Sequence, residues 1–282
     1  MDEGGTQGTI KKLMMVSALT HAEEFFRESH QIELAATFDV LGAENASDLN
    51  RLIREWGARR KFRSTGLPQI ADDRGGDDFS LGIAMRYLSA LCWHPYDTEH
   101  PLGWSWWEQH LESFKLIAHE FVHMVQYELA ADYPLRRIGN DRQRVIGPKW
   151  MTEGTAEYFA EVIEADRVDE GIPRLFWLYL SAYGFNDPLG DLSDTQPWPN
   201  EAHYDVGHLA ARILADIYGP EALLEYWINV GTTQSWDQAF RETFGMERAD
   251  FEADFEIMRK DIGKILIYKR QRAKLLEIEA GQ

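Results

Sequence analysis

The chain is poor in cysteine: Cys92 stands alone among 282 residues. One thiol excludes an intrachain disulfide framework and any zinc site built on several cysteines, so a metal must be held by His, Asp or Glu. Long apolar runs are also missing, and no stretch approaches the ~18 residues that a membrane span needs. Positive charge is scarce. Lys and Arg number 29 against 47 Asp and Glu, a net charge of −18. That balance repels phosphate backbones, so nucleic acid is not an expected partner, and without a span of that length neither is a membrane. Internal repeats and low-complexity tracts are lacking as well.

What is present is ordinary globular composition, 44% hydrophobic and 27% charged, in a chain long enough to bury a real core. Near the start, Lys11-Lys12 and the apolar residues 13–19 have the outline of a short leader. Asp2 and Glu3, however, occupy the place where a leader carries positive charge. An amphipathic helix carrying Val16, Leu19 and Phe26 is the simpler expectation, and with a single cysteine the expected compartment is the cytoplasm.

Residues 32–40 alternate apolar and polar, which predicts a half-buried strand. Ser47 is a helix cap ahead of Leu49, Leu52, Ile53 and Trp56 at helical spacing. Residues 65–78 read as loop. Residues 79–87 alternate as in a strand, while Leu88, Leu91 and Cys92 fit helix equally well. The 93–107 region is rich in tryptophan among Pro95, Pro101 and Gly103, a composition suited to capping the core or lining a pocket. Helices are predicted over 108–129, 150–166, 204–218, 221–229 and 236–244. Ser235 and Gln238 form a capping box for the last. A mostly helical tail from Arg248 carries a doubtful point of continuity at Gly263.

The chemistry lies in His119-Glu120-Phe121-Val122-His123. Two His at i and i+4 sit about 40° apart around a helix, one turn up, so both imidazoles reach one metal. Glu120 projects beside the first and can take a proton from the attacking water. Flanking Phe121, Val122 and Val125 mark a buried helix, in which two unpartnered His would be costly. A catalytic zinc needs a third protein ligand. Glu153 and Glu157, again i and i+4 on the next helix, can each supply it.

His-Glu-x-x-His followed by Trp150-x-x-Glu153-Gly154-x-Ala156-x-Tyr158 resembles the gluzincin metallopeptidases, in particular the peptidase-MA-like branch. The resemblance implies that Glu153 is the third zinc ligand and that Glu157 braces a ligand His from outside. It extends more loosely to Tyr204-x-x-Gly207-His208 and Leu214 with Tyr218-Gly219. There it implies an oxyanion donor at Tyr204, with His208 and His203 as second candidates. Gly42-Ala43-Glu44-Asn45 is similar to the aminopeptidase signature but lacks its Met and lies 77 residues before His119, so it reads as a turn. The 30 residues from His123 to Glu153 leave room for an insertion over 131–149.

The expected fold is α+β and mostly helical, zincin-like. A small N-terminal sheet packs on the His-Glu helix ahead of a helical C-terminal half. Residues 1–78 form an N-terminal region and 79–282 a catalytic region, continuous with each other. The expected activity is zinc-dependent hydrolysis of peptide bonds, one Zn2+ per chain, with Glu120 as general base. In related families the edge strand before the His-Glu helix holds substrate in extended form, a place that 79–87 would fill. Two other outcomes fit the same motif: a metal-assisted reaction on a small amide or biosynthetic intermediate, and a catalytically inactive binding module.

Overall fold

The computed structural model describes residues 6–35, 37–43, 46–61, 81–85, 90–94, 106–130, 147–165, 173–193 and 202–280. Helices dominate, ten of them among the described residues, beside one three-stranded sheet. The chain divides into two compact units. One comprises Met1–Val125 with Ala160–Arg167, the other Gln126–Phe159 with Val168–Gln282.

The first unit opens with α1 (Thr6–His30). Its buried stripe is Met14, Ala18, Ala22 and Phe26, a strict i+4 row. Val16, expected to face the core, is exposed. Phe26 stacks on Phe121, with centroids 6.1 Å apart, and His21 tilts against Phe114. The expected strand over 32–40 is not there; only β1 (Asp39–Gly42) is extended. The reason is local. α1 closes with Gln31 in the left-handed conformation (φ 57) and with Ile32 N–H donating back to Phe26 O at 3.0 Å. This closure consumes the start of the alternating segment. Farther along, Phe38 turns its ring to Phe121 instead of joining a ladder.

The remaining strands settle the ambiguous 79–92 stretch as two strands, β2 (Leu81–Met85) and β3 (Ala90–His94). The sheet order is β1-β3-β2, with β1 parallel and β2 antiparallel to β3. Cys92 pairs with Leu41 on one side and Ile83 on the other. α2 (Ala46–Arg59) takes Ser47 into its first turn rather than leaving it as cap. It lays Leu49, Ile53 and Trp56 on Leu41, Ala90 and Cys92. Asp39 ties strand to helix by accepting from Trp56 Nε1 at 2.8 Å and from Arg60.

α3 (Trp106–Leu129) and α4 (Lys149–Ala165) match their predicted spans closely. The second unit adds α5 (Pro173–Gly184), a 3-10 turn (Leu189–Ser193), α6 (Ala202–Tyr218) and α7 (Pro220–Thr233). α8 (Trp236–Phe244), α9 (Arg248–Met258) and α10 (Ile262–Ala280) complete it. α6 is the buried centre, closed from Val206 to Ala211. Ser235 caps α8 by accepting from Gln238 N–H, whereas the Gln238 amide goes to Glu242. The expected long tail breaks at 259–261, where Asp261 accepts from Gly263 N–H at 2.9 Å and starts α10 afresh. Trp150, Tyr226, Phe240, Phe244 and Phe251 form an aromatic core. No helix among the described residues is long and apolar enough to cross a membrane.

The expected loop over 65–78 lies outside the described residues, as do 95–105 of the tryptophan-rich region and 131–146 of the expected insertion.

Candidate metal centre

α3 carries the two His in an otherwise apolar run. Phe114, Ile117, Ala118, Phe121, Val122, Met124 and Val125 are all buried. His119 and Glu120 are buried with them, 5% and 6% exposed, so neither sits on a solvated face. His123 is half-buried. Placing such groups inside a helix's apolar surface costs free energy unless something compensates their polar atoms.

The geometry brings these polar groups together. The Nε2 atoms of His119 and His123 approach to 3.0 Å, with ring planes at 86°. Two nitrogens bound to one tetrahedral zinc at 2.0–2.1 Å would stand about 3.3 Å apart. The pair therefore needs to open by only a few tenths of an ångström. Ligand-type atoms of His119, Glu120 and His123 all lie within 4.8 Å of one another. This His-Glu-His cluster can hold a metal ion.

Glu120 is also held from the sheet. Ala84 N–H donates to its Oε2 at 2.6 Å, a short bond of the charge-assisted kind. Residues of a strand alternate direction, so spending Ala84's N–H on Glu120 turns that side of β2 toward α3 and leaves β3 to its neighbours in sequence. Cys92, paired with Ile83, is 1% exposed. Burial first, and then the charge of Glu120, pushes its thiol well above the usual range. Nothing in the sequence pointed to Ala84 or Cys92 as neighbours of the site beyond the strand pattern over 79–87.

Glu153, Glu157, Tyr204 and His208 belong to the second unit. Glu153 and Glu157 are half-buried on α4; Tyr204 is half-buried and His208 buried on α6. Trp150 anchors α4 by stacking on Phe251, with centroids 5.8 Å apart, and by donating Nε1–H to Glu252. The buried Gln126 amide donates to Thr152 O at 2.8 Å, tying the last turn of α3 to the first of α4. α4 and α6 cross at two glycines. A Cβ built on Gly154 would stand 2.2 Å from Gly207 O, and one on Gly207 would stand 2.8 Å from Trp150 O. The crossing brings the helix with both glutamates directly against the helix with Tyr204 and His208. The His203 ring lies 4.6 Å from Phe185, with Nε2 3.7 Å from Asp187. His21 and His30 pack on aromatic rings of their own unit. Gly42 ends β1, and residues 44 and 45 lie outside the described set.

No protein-family model matches the chain, and comparison with curated proteins and with solved structures found no match either.

Proposed function

We propose that this chain is a zinc-dependent hydrolase of peptide bonds with a zincin-like catalytic region. The observation that carries the reading is the convergence of His119 and His123 Nε2 at 3.0 Å beside the Glu120 carboxylate. His119, His123 and Glu153 would hold the metal. The first two rest on geometry. Glu153 rests on the Trp150-x-x-Glu153-Gly154 pattern alone.

Bound zinc would supply Lewis acidity, lowering the pKa of water toward ~7 and polarising a carbonyl. Glu120, its Oε2 fixed by Ala84 N–H, accepts the proton of the attacking water and hands it to the leaving amine. With the Ala84 N–H given to Glu120, the outer side of β2 offers the Ala84 carbonyl and, two residues back, the groups of Gly82. An extended peptide lying there would pair with main chain and bring its scissile carbonyl to Glu120. Tyr204 is the first candidate to donate to the oxyanion and His208 the second, a role typically worth about 3 kcal/mol. Glu157 would orient a ligand imidazole.

The test is Glu120→Gln, measured for both zinc content and cleavage of an unfolded-protein substrate. Retained zinc with lost turnover supports the base. Lost zinc would make Glu120 a ligand, and unchanged turnover would remove it from the reaction.

A further inference from the structure

Eleven large apolar side chains stand exposed among the described residues, and five of them are on α10: Ile262, Leu266, Ile267, Leu275 and Ile278. Singly scattered apolar residues are normal, but a concentration on one helix is not.

α10 has two opposed faces. Its inner face is satisfied by the body of the second unit. Ile265 is buried, Lys269 pairs with Asp216 at 2.5 Å, and Arg272 donates to the Tyr218 hydroxyl at 2.7 Å and to Phe244 O at 3.1 Å. On the opposite face, at i, i+4, i+7 and i+11, lie Ile267, Gln271, Lys274 and Ile278, flanked by Lys264, Arg270 and Leu275.

Charge singles out the same helix. In a chain of net −18, α10 holds five cations against two acids, Glu277 and Glu279 in its last turn. Lys264, Arg270 and Lys274 are exposed, and their side chains make no ion pair or hydrogen bond among the described residues.

We propose that the outer face of α10 docks on an anionic lipid surface. A second copy of the chain fits less well. Pairing along the Ile267–Ile278 seam would bury Gln271 and Lys274 at its centre, and lysine is depleted from the cores of protein interfaces. At a bilayer the same lysine places its ammonium among headgroup phosphates while its stem and the neighbouring isoleucines reach the acyl boundary. The acidic remainder of the chain is repelled by that surface, so the molecule lies with α10 down. The expectation of no membrane partner rests on spanning length, which a helix lying in the interface does not need.

The experiment is co-sedimentation of the full chain with vesicles of phosphatidylcholine alone, or with phosphatidylserine at about one lipid in three. Binding is expected only to the anionic vesicles, weakening as salt is raised. At about fivefold per cation, Lys264→Gln, Arg270→Gln and Lys274→Gln together should weaken partitioning roughly a hundredfold. Ile267→Asn with Ile278→Asn should weaken it as well. All five positions are exposed, so the variants keep the fold. Absence of binding, equal binding to both vesicles, or indifference to the triple change overturns the proposal. So does a concentration-dependent doubling of mass abolished by Ile267→Asn, which would assign the face to a second copy.

Discussion

Gly154 and Gly207 meet backbone to backbone, and a methyl group on Gly154 would stand 2.2 Å from the Gly207 carbonyl oxygen. No rotamer relieves such a clash; one helix must move. Gly154→Ala is therefore predicted to cost about 3 kcal/mol or more, read by thermal or urea unfolding. Gly184→Ala, where nothing lies within 4 Å, is the control and should stay within about 0.5 kcal/mol. Equal effects at the two sites would mean that α4 and α6 do not cross there.

Glu153 and Glu157 share α4 but are proposed to differ in role. Glu153→Ala should lower zinc affinity by several orders of magnitude, since it removes a direct ligand. Glu157→Ala should lower it about 10- to 100-fold, the usual cost of losing an outer partner. Zinc competition with a chromophoric chelator measures both, and equal losses would refute the assignment.

Cys92 should be nearly inert in the native chain. Burial is the main reason its thiol is pushed up, and the charge of Glu120 is secondary. A disulfide reagent at pH 8 should therefore label it slowly until denaturant is added. Glu120→Gln should leave this protection in place. Fast native labelling would mean that β3 is not covered by α2 as described.

Asp39 makes the first unit acid-sensitive. The Trp56 indole N–H, with Arg60 beside it, holds its carboxyl below the usual range, against the opposing effect of partial burial. A folded-state pKa below the unfolded value of ~3.9 means stability that is complete above that value and lost as pH falls through the lower one. With the carboxylate 38% exposed, the contribution is under about 1 kcal/mol. The indole N–H resonance of Trp56 should shift below about pH 4, and Asp39→Asn should abolish that shift. A resonance unmoved by acid would contradict the bond.

Helices were legible wherever one face only was apolar. α3, α4, α8 and the Gly219-Pro220 stop all follow from periodicity and capping. α5 escaped because Leu175-Phe176-Trp177-Leu178-Tyr179-Leu180 is apolar on every side and shows no period. The alternation over 32–38 misled because it counts residues, not what the preceding helix does with them; the closure at Gln31 and Ile32 is invisible in a hydrophobic pattern. At the site, the i, i+4 spacing of His119 and His123 announced the cluster. The Ala84–Glu120 bond could not be read, because a backbone donor carries no side-chain signature. The outer face of α10 was hidden by its inner one, since apolar residues on both sides blur the pattern.

Everything proposed for the site depends on α3 holding a metal. Elemental analysis of the purified chain, after zinc is added and excess removed, tests it directly. About one zinc per chain is expected, and none in the His119→Ala, His123→Ala double variant with its fold intact by circular dichroism. Wild type that takes up no zinc, or a double variant that keeps it, would mean that His119 and His123 are not metal ligands.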